Sequence, residues 1–425
     1  MKHQKITIGL FGLGTVGTGL VKLLQSRKSE LKDHYGVELH LKKIVVKDLN
    51  KERLVNIPKE ILTTNASEII NDSEIDTVIE LIGGISPAKD IVIAALKKKK
   101  NVVTGNKLLL ATHLEKILQE ADKNNCHLGF RAAITGCHQI RDHLTYAGTI
   151  KSIVGIFNST CNYILTEMEN NQVDLSGALK KAQQLGYAES DPSLDIDGLD
   201  TCHKLILIAR LAMGISLSPK DFSIQGIKDI NLKDMTIALD LGYRFKLLGF
   251  LKNQDNKIDI RVHPTLIPKK SSLASIEGIE NAIQIHDEVW GERGLVAEGA
   301  GMNPTASVVL VDLIDIAKGI TFYWPKKMAR CHVKRIGLVK SKYYLRFNAV
   351  NKPGVLAKIS SILGKHSINI RNVTQKGEGL NSVVPIIMIV DESFSKDIEK
   401  ALKVIDTLPI IKQNSVSFRI EDNVF

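Results

Sequence analysis

Apolar and β-branched residues crowd KITIGL (5–10), and in FGLGTVGTGLVKLL (11–24) the apolar positions change to a helical period. The change falls on Gly12, Gly14 and Gly17, so the stretch predicts strand, glycine turn and helix. Related patterns follow. LHLKKIVVKD (39–48) reads as a strand, IDTVIELIGG (75–84) as a strand ending in Gly83 and Gly84, PAKDIVIAALKKKK (87–100) as a helix and NVVTGNK (101–107) as a strand. Three strand–helix units in about a hundred residues predict a doubly wound parallel sheet. From 151 to 300, strands (IKSIVGIFN, IDIRVHPTLI) mix with helices (LSGALKKAQQLG, DGLDTCHKLILIARLAM) as in an α+β domain. GAGMNPTASVVLVDLIDIA (299–317) is a second glycine turn into a helix. Beyond Trp324 and a basic linker, residues 343–421 read strand, helix, two strands, helix, strand.

Ligands of a doubly wound sheet lie off the carboxyl ends of its strands. Gly12 allows the tight turn, Gly14 lets the backbone approach a pyrophosphate, and Gly17 permits close helix–strand contact. The amides of Thr15 and Val16 then face the anion at the helix N-terminus. Where the ribose is read, Lys47 precedes Asp48 and Lys51 follows, which favours the 2′-phosphate of NADP(H) over NAD(H). The later strands bring Gly83, Gly84, Thr104, Asn106 and Lys107 to the nicotinamide end.

A different chemistry gathers in LGYAESDPSLDIDGLDTCHK (185–204). Glu189, Asp191, Asp195, Asp197 and Asp200 precede Lys204, and the apolar LILIARLAM follows at once. Acids that run straight into so apolar a segment are expected at the mouth of a buried helix. Asp200 and Lys204 are four apart, so on a helix beginning near Ile196 they share a face. A lysine held by a carboxylate at the edge of a core is a candidate proton donor; the alternative is an ordinary ion pair on a surface helix. Lys107 brings a second lysine to the place where a hydride acceptor sits. Hydride addition to a carbonyl makes an alkoxide-like oxygen that needs a positive group and then a proton. Two lysines close together depress each other's pKa, which makes one a usable acid near neutrality.

The totals narrow the partners. At 425 residues the chain exceeds one core and implies two or three domains. The net charge of +11 would suit nucleic acid, but the lysines are scattered, Lys97–Lys100 sits at a helix end, and no aromatic residues are interleaved. A small anionic ligand is expected instead. Five cysteines spread from Cys126 to Cys331 make no disulfide framework and imply a reducing compartment. Four are followed by His, yet sequence neighbours point to different sides of an element and no ligand spacing exists, so no metal is expected. The N-terminal stretch has no cleavage pattern and no apolar run spans a bilayer, so a cytoplasmic protein without membrane contact is expected. His263 and Pro264 in RVHPTL read as structural.

In order along the chain, GLFGLGTVGTGLV, VIELIGG, VVTGNKLLLATH, NYILTEME, QLGYAESDPSLDIDGLDTCHKL, LGYRFKLLGF, RVHPTLIP and GAGMNPTAS resemble the blocks of the homoserine dehydrogenase family, over nearly the whole length. The resemblance implies a Rossmann dinucleotide-binding domain over 1–135, to which 300–320 returns, and an α+β substrate domain over 136–299. It further implies a linker over 321–342 and, over 343–425, a ferredoxin-like βαββαβ module that looks like an ACT domain. The implied reaction is NAD(P)H-dependent reduction of aspartate 4-semialdehyde to homoserine, on the way to threonine and methionine. By position, Lys107 corresponds to the lysine of the family's TANK motif, Lys204 to its proton donor and Asp200 to the carboxylate bonded to the substrate. Glu189 and Asp195 correspond to its acidic contacts with the substrate's amino and hydroxyl groups. Asn158, Thr160, Gly186 and Tyr187 fall among substrate-binding positions, and Gly299 and Gly301 against the nucleotide.

Other positions depart from the family. Arg131 stands where relatives carry a glutamate that helps hold a monovalent cation, so the guanidinium is expected to take the ion's structural place. Cys137, His138 and Gln139 rebuild the turn between domains, and Ser159 and Cys161 change the family's NGTTN to NSTCN beside the substrate. In the last module Asn351 replaces an aspartate at the first strand–helix turn, where such modules bind amino acids, commonly between paired copies. Threonine feedback and a homodimer or homotetramer are thereby implied. A related oxidoreductase with a shifted substrate and an amino-acid-responsive homologue without turnover are the alternatives. The retained Lys107, Glu189, Asp200 and Lys204 speak against the second.

Overall fold

The computed structural model describes residues 4–134, 143–144, 149–254, 257–299, 301–320, 324–325, 331–375, 377 and 379–424. The turn with Cys137, His138 and Gln139 lies outside the described residues.

Six parallel strands build the first sheet: β1 (Gln4–Phe11), β2 (Val37–Val45), β3 (Leu62–Thr63), β4 (Thr77–Glu80), β5 (Asn101–Thr104) and β6 (Leu128–Gly129), in the order β3-β2-β1-β4-β5-β6. Their apolar runs are unbroken because helices cover both faces. Ile8, Leu10, Phe11, Val78 and Ile79 have no exposed surface. Helix α1 (Thr15–Ser26) follows β1, α2 (Ala88–Lys97) follows β4 and α3 (Lys107–Asn124) follows β5. Strand order reverses between β1 and β4, which opens a crevice at their carboxyl ends.

The second sheet begins with β7 (Ile150–Ile156) and carries α4 (Ser159–Asn171) and α5 (Leu199–Met213). It continues through β8 (Ser223–Ile224), α6 (Leu232–Asp240), β9 (Tyr243–Gln254), β10 (Lys257–Pro268), β11 (Glu280–Asp287) and β12 (Gly291–Glu298), with β8 paired to β10 off the main path. β9, β11 and β12 have no counterpart among the expected strands. β12 (GERGLVAE) carries two glycines and little apolar surface, and extends because it pairs with β11 from Glu298 to Gly291. α5 also begins later than expected. The short helix Ser193–Ile196 stops, Gly198 takes φ 83°, and α5 starts at Leu199. A side chain at Gly198 would crowd Val262 and Ile224 besides straining the backbone.

Helix α7 (Met302–Ala317) returns to the first domain, where Ala306, Val309, Leu310 and Leu313 join its core. Gly19 of α1 makes the approach possible, since a Cβ there would stand 2.6 Å from Met302 Cγ.

After β13 (His332–Val333) come β14 (Lys340–Val350), α8 (Val355–Lys365), β15 (Ile370–Gln375), β16 (Val383–Phe394), α9 (Ser395–Asp406) and β17 (Ile411–Ile420). This is the βαββαβ order, with strands arranged β17-β14-β16-β15. β17 pairs with β10 at Thr265–Arg419 and Leu266–Ile420, so the strands of this module continue the second sheet. Asp234 of α6, wholly buried, accepts from the Tyr344 hydroxyl at 2.8 Å and pairs with Arg346 Nε at 2.9 Å. The C-terminal module is thus built into the substrate domain. Among the described residues, no helix is long and apolar enough to cross a membrane and no cluster of three His, Cys, Asp or Glu side chains suits a metal ion.

Candidate active site

The first turns of three helices meet between the domains: α3 opens on Lys107, α4 on Ser159 and α5 on Leu199. Asp200 lies at their junction. Lys107 Nζ stands 2.7 Å from its Oδ1 and Lys204 Nζ 3.0 Å from its Oδ2. Asn158 Nδ2 donates to the same Oδ2 at 2.9 Å and to Asp195 Oδ1 at 2.6 Å. Its Oδ1 caps α4 by accepting from the Cys161 amide at 2.7 Å, so one side chain fixes both the helix start and the two carboxylates. Lys204 also donates to the Phe157 carbonyl just beyond β7.

The charges differ in setting. Asp200 and Lys204 are nearly covered, whereas the Lys107 side chain is 38% exposed and marks the open side of the cluster. Burial works to raise the Asp200 carboxyl, but the two ammonium groups overcome it and hold it far below the ordinary carboxylate range. Lys107 is raised, chiefly by Asp200, and stays a fixed cation. Lys204 is lowered, first by burial and further by Lys107 against the pull of Asp200. The mutual depression expected of two neighbouring lysines therefore falls on one of them. His203 beside it, also buried and lowered by burial, feels the same Asp200 and Lys107 charges.

The acidic stretch wraps the cluster. Asp195 is pushed up by burial and by Asp200, and Asp195 and Glu189 both act on Lys107 through space. Glu189 and Gly186 are exposed, and Gly186 takes φ 75° with open space beside it. Tyr187 packs edge-on against Tyr163 at 5.0 Å, and its carbonyl accepts the Thr160 hydroxyl at 2.8 Å, which ties this stretch to α4. Ser159 and Cys161 turn inward. The Ser159 hydroxyl donates to Asn281 Oδ1 at 3.1 Å and the Cys161 thiol to the Asp195 carbonyl at 3.2 Å.

At the nucleotide end, Gly12 has φ 96°, and a Cβ on it would meet the Leu81 carbonyl at 2.7 Å. A Cβ on Gly17 would strike the Gly12 carbonyl, while Gly14 faces space with nothing within 4 Å. That space lies over the N-terminus of α1, where the Thr15 and Val16 amides begin the helix, and fits a pyrophosphate. Gly83 and Gly84 are left-handed, and a Cβ on either would meet nothing within 4 Å. Asn106 caps α3 by accepting from the Leu109 amide and donates to the Gly84 carbonyl at 2.6 Å, so it joins the glycine loop to the helix that presents Lys107.

Two positions differ from expectation. Thr104 has no exposed surface and donates its hydroxyl to Glu80 at 2.6 Å, so it braces the crevice without lining it. Gly299 lies against Ser159 and Asn281 of the substrate domain, whose side chains a Cβ would strike at 2.1 and 2.0 Å, while Gly301, with φ 125°, opens α7. Glu80, wholly buried, was not foreseen. It accepts from the Ile82 and Gly83 amides at 2.9 and 3.2 Å, and its only signal was a lone acid at the end of an apolar strand. Lys47 is exposed beyond β2, and Arg53, also unforeseen, reaches back to the Asp48 carbonyl. Asn50, Lys51 and Arg53 line an open cavity of about 860 Å³ there. Arg131 is buried and pairs with Asp312 and, at 2.6 Å, with Asp315, both on α7.

A dinucleotide crevice that ends beside two lysines on one carboxylate belongs to a nicotinamide-dependent oxidoreductase. Family models for homoserine dehydrogenase match residues 137–314, for its NAD-binding domain residues 12–131, and for the ACT domain residues 343–409. The homoserine dehydrogenase of Bacillus subtilis is 33% identical over 99% of both chains, and that of Helicobacter pylori 36% identical over 99% of this chain and all of its own. The crystal structure of a homoserine dehydrogenase from Thiobacillus denitrificans superposes with a TM-score of 0.89 at 35% identity over 98% of each chain. A hyperthermophilic archaeal homoserine dehydrogenase in complex with NADPH matches 74% of this chain and 98% of its own, at 25% identity and a TM-score of 0.62. The chain belongs to the homoserine dehydrogenase family.

Proposed function

We propose that this chain reduces L-aspartate 4-semialdehyde to L-homoserine with Lys204 as proton donor, Lys107 as the cation beside the carbonyl oxygen and Asp200 as the group that aligns both. The convergence of the two lysines on Asp200 carries this reading. Gly12, Gly14, Thr15, Val16 and Gly17 would hold a nicotinamide cofactor, with Gly83, Gly84 and Asn106 toward its reactive end, and the cofactor would supply the hydride. Negative charge that develops on the substrate oxygen meets two ammonium groups and the positive ends of three helices. Lys204, depressed by its surroundings, gives its proton to that oxygen. Glu189 and Asp195 take the substrate's ammonium group, with Asn158, Thr160, Gly186 and Tyr187 shaping the loop around it.

Lys47, Lys51 and Arg53 favour NADP(H) over NAD(H): Lys47 is exposed just beyond β2, and Lys51 and Arg53 line the open cavity that follows it, so three cations are available to a 2′-phosphate. Arg131 replaces the monovalent cation of relatives. Threonine binds at the Asn351 turn, but weakly: the Asn351 amide already donates to the Gly379 carbonyl at 3.0 Å and accepts from Gln375 at 2.9 Å. A cytoplasmic homodimer or homotetramer completes the reading. Oxidation of homoserine followed at the nicotinamide absorbance, with each cofactor and with and without threonine, tests it. Lys204→Ala is expected to lose about a hundredfold or more in kcat while still binding NADPH, as the change in cofactor fluorescence on titration would show. An undiminished rate would remove Lys204 from its role.

A further inference from the structure

The two domains are tied a second time, away from the reacting groups. Glu115 lies eight residues beyond Lys107 on α3, and Arg210 ten residues beyond Asp200 on α5. The helices run side by side in the same direction, so this contact sits about 12–15 Å along their axes from the Lys107–Asp200 pair. Arg210 is 4% exposed. Its Nε stands 2.7 Å from Glu115 Oε1 and its Nη2 3.5 Å from Oε2, while Nη1 donates to the Pro325 carbonyl of the linker at 2.7 Å. The neighbouring Trp324 stacks on Phe130, the residue before Arg131, with ring centres 4.3 Å apart. One guanidinium thus joins the dinucleotide domain, the substrate domain and the linker.

The contact matters because the other tie must yield. Lys107 and Lys204 now give N–H groups to Asp200, and a substrate oxygen between them has to take some of those donors. A charge contact that rearranges at every turnover cannot also set the distance between its own partners. Among the described residues, Arg210–Glu115 is the other ion pair joining α3 to α5, bidentate and away from the lysine cluster. We propose that Arg210 is a positioning residue: through Glu115 it fixes the spacing of Lys107 and Lys204, with the Pro325 carbonyl holding the guanidinium in place.

This rests on the roles proposed for the two lysines, and the experiment separates the two. Semialdehyde reduction by the full chain is compared with that of Glu115→Gln, Arg210→Gln and the double variant, each checked by circular dichroism. A wild type without turnover refutes the proposed function. With an active wild type, each single change is expected to lower kcat about tenfold with KM for NADPH held within about twofold. The double is expected to be no slower than the worse single. Losses that multiply, or rates equal to wild type, overturn the pin. A pH profile distinguishes positioning from general damage. Lys204 is faced by Lys107 from α3, Asp195 from the 193–196 turn, Cys161 from α4 and Asp200 from its own helix. As α3 recedes in Glu115→Gln, the like charge of Lys107 leaves Lys204, and the alkaline fall in kcat is expected at higher pH. A slower enzyme with that limb unmoved also overturns the inference. Glu115 is part exposed, so its glutamine variant decides the matter even if Arg210→Gln does not fold.

Discussion

At Asp200 the sign of each neighbour can be turned into a rate. With Lys204 as the proposed proton donor, reduction requires it protonated, so kcat is expected to fall as pH rises through its pKa, which lies below the ordinary lysine value. In Asp200→Asn the carboxylate that props the pKa up is gone, while burial and Lys107 still press it down. The alkaline limb is then expected to move to lower pH, with kcat reduced at every pH; a limb that stays or rises would show that Asp200 does not act on Lys204. Lys246 gives a stability counterpart. It is buried, donates to the Asn162 side chain at 3.1 Å and to the Ile276 carbonyl, and is lowered to about 8 by burial and by Arg244. The unfolded chain keeps that proton up to about 10.5, so between these values the unfolded state binds more protons and stability rises with pH. Denaturant titrations across that range are expected to show the rise in wild type and lose it in Lys246→Met.

Helix ends and helix pairings carry the next layer. Asn106 both caps α3 and ties it to Gly84, so Asn106→Ala should cost about 1 kcal/mol of stability and raise KM for the cofactor, as thermal melts and initial rates would reveal. α7 is docked through Arg131. Burial pushes the Asp312 carboxyl up to about 6 even with the guanidinium pulling it down, so the pair depends on that cation. Arg131→Glu would leave three carboxylates together and is expected to lose about 3–5 kcal/mol, measurable as denaturation at lower urea. Wild-type turnover is expected to be indifferent to replacement of sodium or potassium by a bulky organic cation; a strong dependence would mean that an ion still binds near Arg131. The glycine turn and the Asp200–Lys204 spacing were legible because both are local. Glu80 was hidden by its apolar neighbours, and Arg210 looked like an ordinary polar break in LILIARLAM, since its partners are ninety-five and 115 residues away.

For the whole molecule, the joining of β17 to β10 sets what can be removed. Ending the chain after residue 325 would bare an edge of β10 and strip Asp234 of both Tyr344 and Arg346. A carboxylate stripped of its hydroxyl and guanidinium partners and an open strand edge predict an aggregating fragment, to be read by size-exclusion chromatography. A soluble, active fragment would show that the module is separable after all. The βαββαβ pattern announced the module, yet nothing local indicated that its outer strand would continue the neighbouring sheet.

The amino-acid order alone determined the parallel sheet, the nucleotide turn, the acidic entry to a buried helix and the C-terminal module, because each depends on spacings within one or two elements, and the resemblance of ordered motifs supplied the reaction. Tertiary structure decided the rest: that Lys107 and Lys204 meet on a single carboxylate, that only one of them is depressed, that Thr104 turns its hydroxyl to Glu80 and Gly299 packs against Ser159 and Asn281, and that strands such as β12 exist at all. Those outcomes depend on burial and on charges brought together from distant parts of the chain, and neither quantity is defined until the chain has folded.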